Sequence, residues 1–251
     1  MEWFIVCSAS LLAGLIDAIV GGGGLVLVPA LFATFPSAAP ATLLGTNKGA
    51  ATWGTLVAAW QFSRKVALQW PRLLPAALAA GLGALAGVWL LTAVSPTLLR
   101  KLLPVVLLLV LIYTLLKKDL GTHHRPRYSG RREVAVLASI GGVLGFYDGF
   151  FGPGTGSFMV FAMVRWLGYD FLRASAHAKV LNLATNITAL ALLAMQGHVW
   201  WHYALPMAVA NVVGSLLGAR LAFAHGAGFV RKVFIAVVTA LIAKTAWDAY
   251  F

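Results

Sequence analysis

Eight apolar runs, at roughly residues 3–35, 41–62, 73–94, 98–116, 133–168, 174–196, 201–222 and 229–250, leave this chain few ways to fold. A helix of about 20 residues crosses a hydrocarbon core ~30 Å thick, and that core tolerates no unpaired backbone. The runs therefore predict an all-α, polytopic membrane protein. Composition agrees, with 61% hydrophobic residues, 10% charged residues and a mean hydropathy of +0.87. The net charge of +12 would suggest a nucleic-acid partner for a soluble protein. In a membrane protein, basic residues instead collect in cytoplasmic loops, so a lipid bilayer is expected and nucleic acid is not. Cys7 stands alone, which rules out an intrachain disulfide, and it reads as a small apolar residue. The chain starts Met-Glu-Trp without the positive flank of a cleavable signal, so the first helix is expected to remain part of the fold.

Slid against itself by 131 positions without a gap, the sequence superimposes Gly14 on Gly145, Asp17 on Asp148, Gly21 on Gly152 and Gly23 on Gly154. The match continues through Lys48 and Lys179, Pro75 and Pro206, Gly83 and Gly214, Gly87 and Gly218, and Arg100-Lys101 and Arg231-Lys232. The chain thus divides into a first repeat (1–116), a basic linker (117–132) and a second repeat (133–251). The adjacent His123 and His124 in the linker have no third ligand near them in sequence and read as part of a solvated loop, so no metal site is expected.

The first run of each half is about 33 residues long and broken by glycines, too long for one crossing. A hairpin of two unequal arms, starting and ending on one side, followed by three ordinary crossings, fits better. It places Arg64, Lys65, Arg72, the linker's six basic residues, Arg165, Arg173, Arg220, Arg231 and Lys232 inside, fourteen in all, with only Arg100 and Lys101 outside. If each run were one broken crossing, the division would be nine against seven, which the positive-inside rule disfavours. An odd number of crossings per half predicts two inverted-topology repeats with both termini outside, a plan that puts a solute site at mid-membrane where the halves meet. Trp3, Trp60, Trp70, Trp166, Trp200, Trp201 and Trp247 sit near predicted helix ends and read as interfacial anchors.

Chemistry concentrates in two places. GGGG at 21–24 and GPGTG at 152–156 should interrupt helices inside the membrane and leave free N–H groups at the start of each following arm. Such helix starts favour anions, which makes Gly22, Gly23, Gly24, Gly154, Thr155, Gly156 and Ser157 candidate ligands. The plainer reading is that these glycines only allow close helix packing. Asp17 and Asp148 are the only acids well inside apolar runs, and a carboxylate there marks an ion pair, a pathway or a proton relay. Lys48 and Lys179 are the matched bases. One arrangement pairs Asp17 with Lys48 and Asp148 with Lys179 as buried bridges within each half. The other turns the lysines toward an anionic substrate and gives proton coupling to an aspartate. Asn182 and Asn186 share a helical face with Lys179 and should border a cavity, joined by Thr46, Asn47 and His177.

No GxxxxGK[ST] or HExxH pattern is present, and Ser157 within GTGSF has no histidine placed to activate it, so neither an enzyme nor a cofactor is expected. The small-residue pairs Gly83/Gly87 and Gly214/Gly218 would suit contacts within a monomer or between the protomers of a homodimer.

GLIDAIVGGGGLVLVPAL and GTNKGAA in the first half, with GFYDGFFGPGTGSF, SAHAKVLNLATNI and GSLLGAR in the second, resemble the TauE/SafE family of sulfite and organosulfonate exporters across nearly the whole chain. The resemblance implies a bacterial inner-membrane secondary transporter of small, often sulfur-containing anions. It leads one to expect Ala at position 45, where Gly stands. A channel-like anion pathway and, from a different class, a non-transporting intramembrane scaffold or enzyme subunit are the alternatives.

Overall fold

A computed structural model describes residues 1–95 and 126–250, with side chains through His225 and for Phe229. Arg100-Lys101, the histidine pair and the run at 98–116 lie outside the described residues. All regular structure within them is helical: α1 (Glu2–Val20), α2 (Gly24–Thr34), α3 (Pro40–Lys65), α4 (Trp70–Ala93), α5 (Gly130–Phe150), α6 (Thr155–Ala162) with a π turn (Met163–Leu167), α7 (Phe171–Met195) and α8 (Trp201–Tyr250). Among the described residues, five stretches are long and apolar enough to cross a membrane: α1, α4, α5, α7 and Trp201–His225 of α8. The expected break between crossings at 201–222 and 229–250 is absent, and α8 continues through it. Gly226 and Gly228 weaken a helix without ending it, and no proline or cap residue stands between them.

Both long first runs split at their glycines. Gly21 ends α1 with a left-handed φ of 80° and donates its N–H to the Asp17 carbonyl, a common helix stop. Gly152 and Gly154, at φ of 92° and 83°, make the corresponding bend between α5 and α6. Each shorter arm returns to the end from which its partner started. The Phe35 ring, just past α2, meets Trp200 and Tyr203, and Trp3 of α1 stacks on the same Tyr203. Beyond α6, the Tyr169 hydroxyl donates to Glu133 near the start of α5, and the Arg127 N–H donates to the Leu167 carbonyl. The hairpin expectation therefore holds, and the two hairpins open at different ends of the molecule. At the second end Arg72 is paired with buried Glu133, and Arg64, Lys65, Arg131, Arg132, Arg165 and Arg173 are exposed. Burial and the Glu133 carboxylate push the Tyr169 phenol above its ordinary pKa, so it remains a donor. The loops at the first end, 35–39 and 196–200, hold no Lys or Arg.

The 131-residue offset recurs in the packing. A Cβ on Gly14 would meet the Asn211 carbonyl oxygen at 2.1 Å, and one on Gly145 would meet that of Ala80, 131 positions before Asn211, at 2.2 Å. Gly83 sits against the Gly142 oxygen and Gly214 against that of Leu11; Gly87 and Gly218 likewise meet Phe146 and Leu15. All four small-residue glycines are therefore engaged within the chain, seating α4 on α5 and α1 on α8. Gly45 is explained in the same way, since a Cβ there would lie 1.9 Å from the His198 oxygen. Alanine has no room.

α3 is long enough to span but less apolar than its neighbours, because it carries Thr42, Thr46, Asn47, Lys48, Thr52 and Thr55. All six are buried. The helix hides this stripe among α1, α2, α7 and α8 instead of presenting it to lipid.

Candidate functional site

The two breaks touch. Ser157 donates its backbone N–H to the Gly21 carbonyl at 2.7 Å and its hydroxyl to the Val20 carbonyl at 3.1 Å. A Cβ on Gly21 would come within 2.6 Å of Gly156, so the hairpin tips interlock backbone to backbone. Beside this contact lies a cavity of about 410 Å³ of empty space, counting its open mouth. Its lining includes Asp17, Gly23, Gly24, Asn47, Lys48, Asp148, Gly154, Thr155, Gly156, Asn182 and Asn186, eleven of the residues singled out from sequence.

Backbone donors face this space. Gly23 gives its N–H to the Asp17 carboxylate at 3.3 Å. The N–H groups of Gly24, Gly154 and Gly156 donate to no acceptor among the described residues. They stand where α2 and α6 begin, the positive ends of the helix dipoles. The Asn47 Oδ1 is buried without a hydrogen-bond partner, a costly state unless something in the cavity meets that side chain.

Lys48 pairs with Asp148 across the halves, which corrects the arrangement of one bridge inside each half, Asp17 with Lys48 and Asp148 with Lys179. Lys48 donates to Asp148 at 2.6 Å and to the Asn186 Oδ1 at 2.8 Å, with both members of the ion pair almost fully buried. The Lys48 ammonium also lies 3.6 Å from where a Cβ on Gly152 would stand, ordinary contact distance, so the left-handed φ of Gly152 and not a lack of space calls for glycine there. Lys179 instead donates to the main-chain carbonyl of Asp17 at 2.7 Å and lies over the Phe62 ring, 4.9 Å from its centroid. Among the described residues no cation reaches the Asp17 carboxylate at ion-pair distance. The half-buried carboxylate has the Gly23 N–H and, at 3.5 Å, the Thr55 hydroxyl.

Several candidates stand apart from the lining. The Thr46 hydroxyl donates to the Thr42 carbonyl and accepts the Trp200 N–H, tying α3 to the start of α8. His177 hydrogen-bonds the Arg173 carbonyl and packs on Tyr169. Ser157 is used by the tip contact, Gly22 lies under it with the Ser157 hydroxyl 3.3 Å from where its Cβ would be, and Lys179, bound to the Asp17 carbonyl, is not part of the lining.

Sequence reasoning missed Thr55 and Asn211. Thr55 is the counterpart of Asn186 at the 131 offset, and the two meet directly, Asn186 donating its amide to the Thr55 hydroxyl at 3.2 Å. That offset could have found it. Asn211 donates to the Ser10 carbonyl at 2.9 Å and lines the cavity with Ala13 and Leu27. Its counterpart is Ala80, so no repeat signal marks it. The counterparts of Ala13, Leu27 and Asn211, namely Leu144, Phe158 and Ala80, do not line the cavity. The two halves therefore line the space unequally.

Comparison with known proteins agrees with these features. Residues 6–245 match the family described as "Sulfite exporter TauE/SafE". The chain is 38% identical over 242 residues to "Probable membrane transporter protein YfcA" of Escherichia coli (strain K12), covering 96% of this chain and 88% of that one. It is 35% identical over 244 residues to a "Probable membrane transporter protein" of Haemophilus influenzae, covering 97% and 94%. A Sinorhizobium relative, "Probable membrane transporter protein ORF9", is 34% identical over 241 residues, covering 96% and 90%. No solved structure matches. The family and these relatives are membrane transporters, not enzymes. With its spanning helices, its glycine-broken hairpins and this similarity over nearly its full length, the chain belongs to the TauE/SafE family of membrane transporters.

Proposed function

We propose that this transporter is a secondary carrier of a small anion, exporting sulfite or an organosulfonate across the bacterial inner membrane, with its halves working as inverted repeats about the central cavity. One observation carries the reading: unpaired N–H groups at the starts of α2 and α6 and the Lys48 ammonium border the same buried cavity, where the hairpin tips meet. These donors complement an oxyanion. Asn47, Asn182, Asn186 and Thr155 supply selectivity, and Asp17 or Asp148 supplies coupling. Support for the inverted plan comes from hairpins that open at different ends and from glycine contacts that repeat at the 131 offset. The basic end would face the cytoplasm.

The test is purified protein reconstituted in liposomes and presented with sulfite, thiosulfate, sulfoacetate and simple carboxylates. Saturable flux with counterflow for the sulfur oxyanions supports a carrier, and unsaturable flux would replace it with a channel. Flux of none of these anions, with no thermal stabilisation by any of them, would end the anion reading.

A further inference from the structure

From an orphaned amide on the cavity wall, we infer that the anion this site accepts is a monoanion bringing a hydroxyl donor of its own, and that Asn47 reads that hydroxyl; the inference rests on the anion-carrier reading above. Asn47 lines the cavity, is 4% exposed and holds its Oδ1 buried without a hydrogen-bond partner. An acceptor in that state is costly until a donor meets it. The side-chain donors nearby are committed elsewhere. Lys48 donates to Asp148 and Asn186, Asn186 to Thr55 and Asn182, Asn211 to the Ser10 carbonyl, Thr55 to Asp17, and Thr155 to the Gly152 carbonyl. Nor does the fold itself call for an amide at this place. The matched position in the second repeat is Ala178, which is equally buried and does not line the cavity. The polar member of the pair is the one that borders the space.

Charge narrows the ligand further. Lys48 offsets Asp148, and Asp17 has the Lys179 ammonium at its own main-chain carbonyl, so the charges around the site balance as they stand. No spare cation remains among the described lining residues for a second negative charge. A single charge suits the free N–H groups of Gly24, Gly154 and Gly156 at the helix starts. Those groups ask for acceptors, which every sulfur oxyanion supplies. Asn47 asks for the opposite, and neither a plain alkanesulfonate nor the sulfite dianion has an O–H to give. Two kinds of small monoanion do: an oxyanion that keeps one proton, such as hydrogen sulfite, and an alkanesulfonate with a hydroxyl on its carbon chain. In either, the charged oxygens take the N–H groups and the hydroxyl donates to Asn47 Oδ1.

Calorimetric titration of the purified protein at pH 6 tests this with two matched pairs of monoanions. 2-Hydroxyethanesulfonate and ethanesulfonate differ by one hydroxyl, and hydrogen sulfite and chlorate are small oxyanions of which only the first carries a proton. Wild-type protein should bind the donor-bearing member at least about fivefold more tightly in one pair or both, the least that an unmet buried acceptor should cost. The pair that shows the preference names the source of the hydroxyl. Asn47→Ala, which installs the residue of the matched position, should bring that ratio to within about twofold by removing the acceptor. Asn47→Leu, which keeps the volume, replaces it if the alanine variant does not fold. A wild-type ratio below about fivefold in both pairs overturns the inference and leaves water to meet Asn47. A preference that persists in the folded variant overturns it as well, because another group then reads the hydroxyl. Wild-type protein that binds none of the four anions and moves no sulfite in liposomes brings down the carrier reading itself.

Discussion

Lys48 and Lys179 occupy equivalent places in the two repeats, yet they do different work. Each reaches across to the aspartate of the other half, as a duplicated fold would demand. Lys48 closes a buried carboxylate–ammonium–amide cluster with Asp148 and Asn186 on the cavity wall, whereas Lys179 binds only a main-chain oxygen and rests on Phe62, away from the cavity. The neighbours decide this. Asn186 stands beside Lys48, while its repeat counterpart, Thr55, is too short to bridge in the same way and instead touches Asp17. The glycine contacts repeat at the 131 offset while the polar side chains at matched positions take different partners.

The largest effect should come from separating the first pair. Lys48→Met leaves Asp148 buried and uncompensated, and should cost about 3–5 kcal/mol, read as a lower unfolding temperature in detergent. The double variant Lys48→Met/Asp148→Asn should recover most of that loss without recovering transport. If the single variant is as stable as wild type, the pair is not the fixed element described here.

Where the halves agree, substitutions should agree as well. Gly14→Ala and Gly145→Ala each drive a methyl into a backbone oxygen, at 2.1 and 2.2 Å, so each should destabilise by about 3 kcal/mol. A large difference between them would mean that the repeats pack unequally. Lys179→Met comes next, since methionine keeps the contact with Phe62 and removes one charge-assisted hydrogen bond, a loss of about 1–3 kcal/mol in the same assay.

The smallest effects separate the two ends. Glu133 is buried between Arg72 and Tyr169, while its counterpart 131 positions earlier, Glu2, meets the Tyr203 hydroxyl at 3.0 Å in the open. Glu133→Gln should cost about 1–2 kcal/mol. Glu2→Gln should leave the unfolding temperature where it was.

Much of this could be read in the chain. Apolar run lengths gave the helical membrane class, consecutive glycines gave both interruptions, and the basic residues chose hairpins over broken crossings. The acid, amine and amide positions of the cavity were legible because a polar group in an apolar run is costly and so stands out. Thr46, Ser157 and His177 looked the same by that measure. Their partners, a Trp200 amide, a Val20 carbonyl and an Arg173 carbonyl, come from local turns or distant helices that hydropathy does not register.

The sequence by itself determined the solvent, the 131-residue offset and the places where the backbone must bend, because these follow from run length, period and the conformational freedom of glycine. Only the tertiary structure decided that the lysines pair across the halves, that α8 runs on unbroken, and which carboxylate is locked and which is open. Those outcomes depend on which groups, a hundred or more residues apart, come within three ångströms of one another, and packing alone sets that distance.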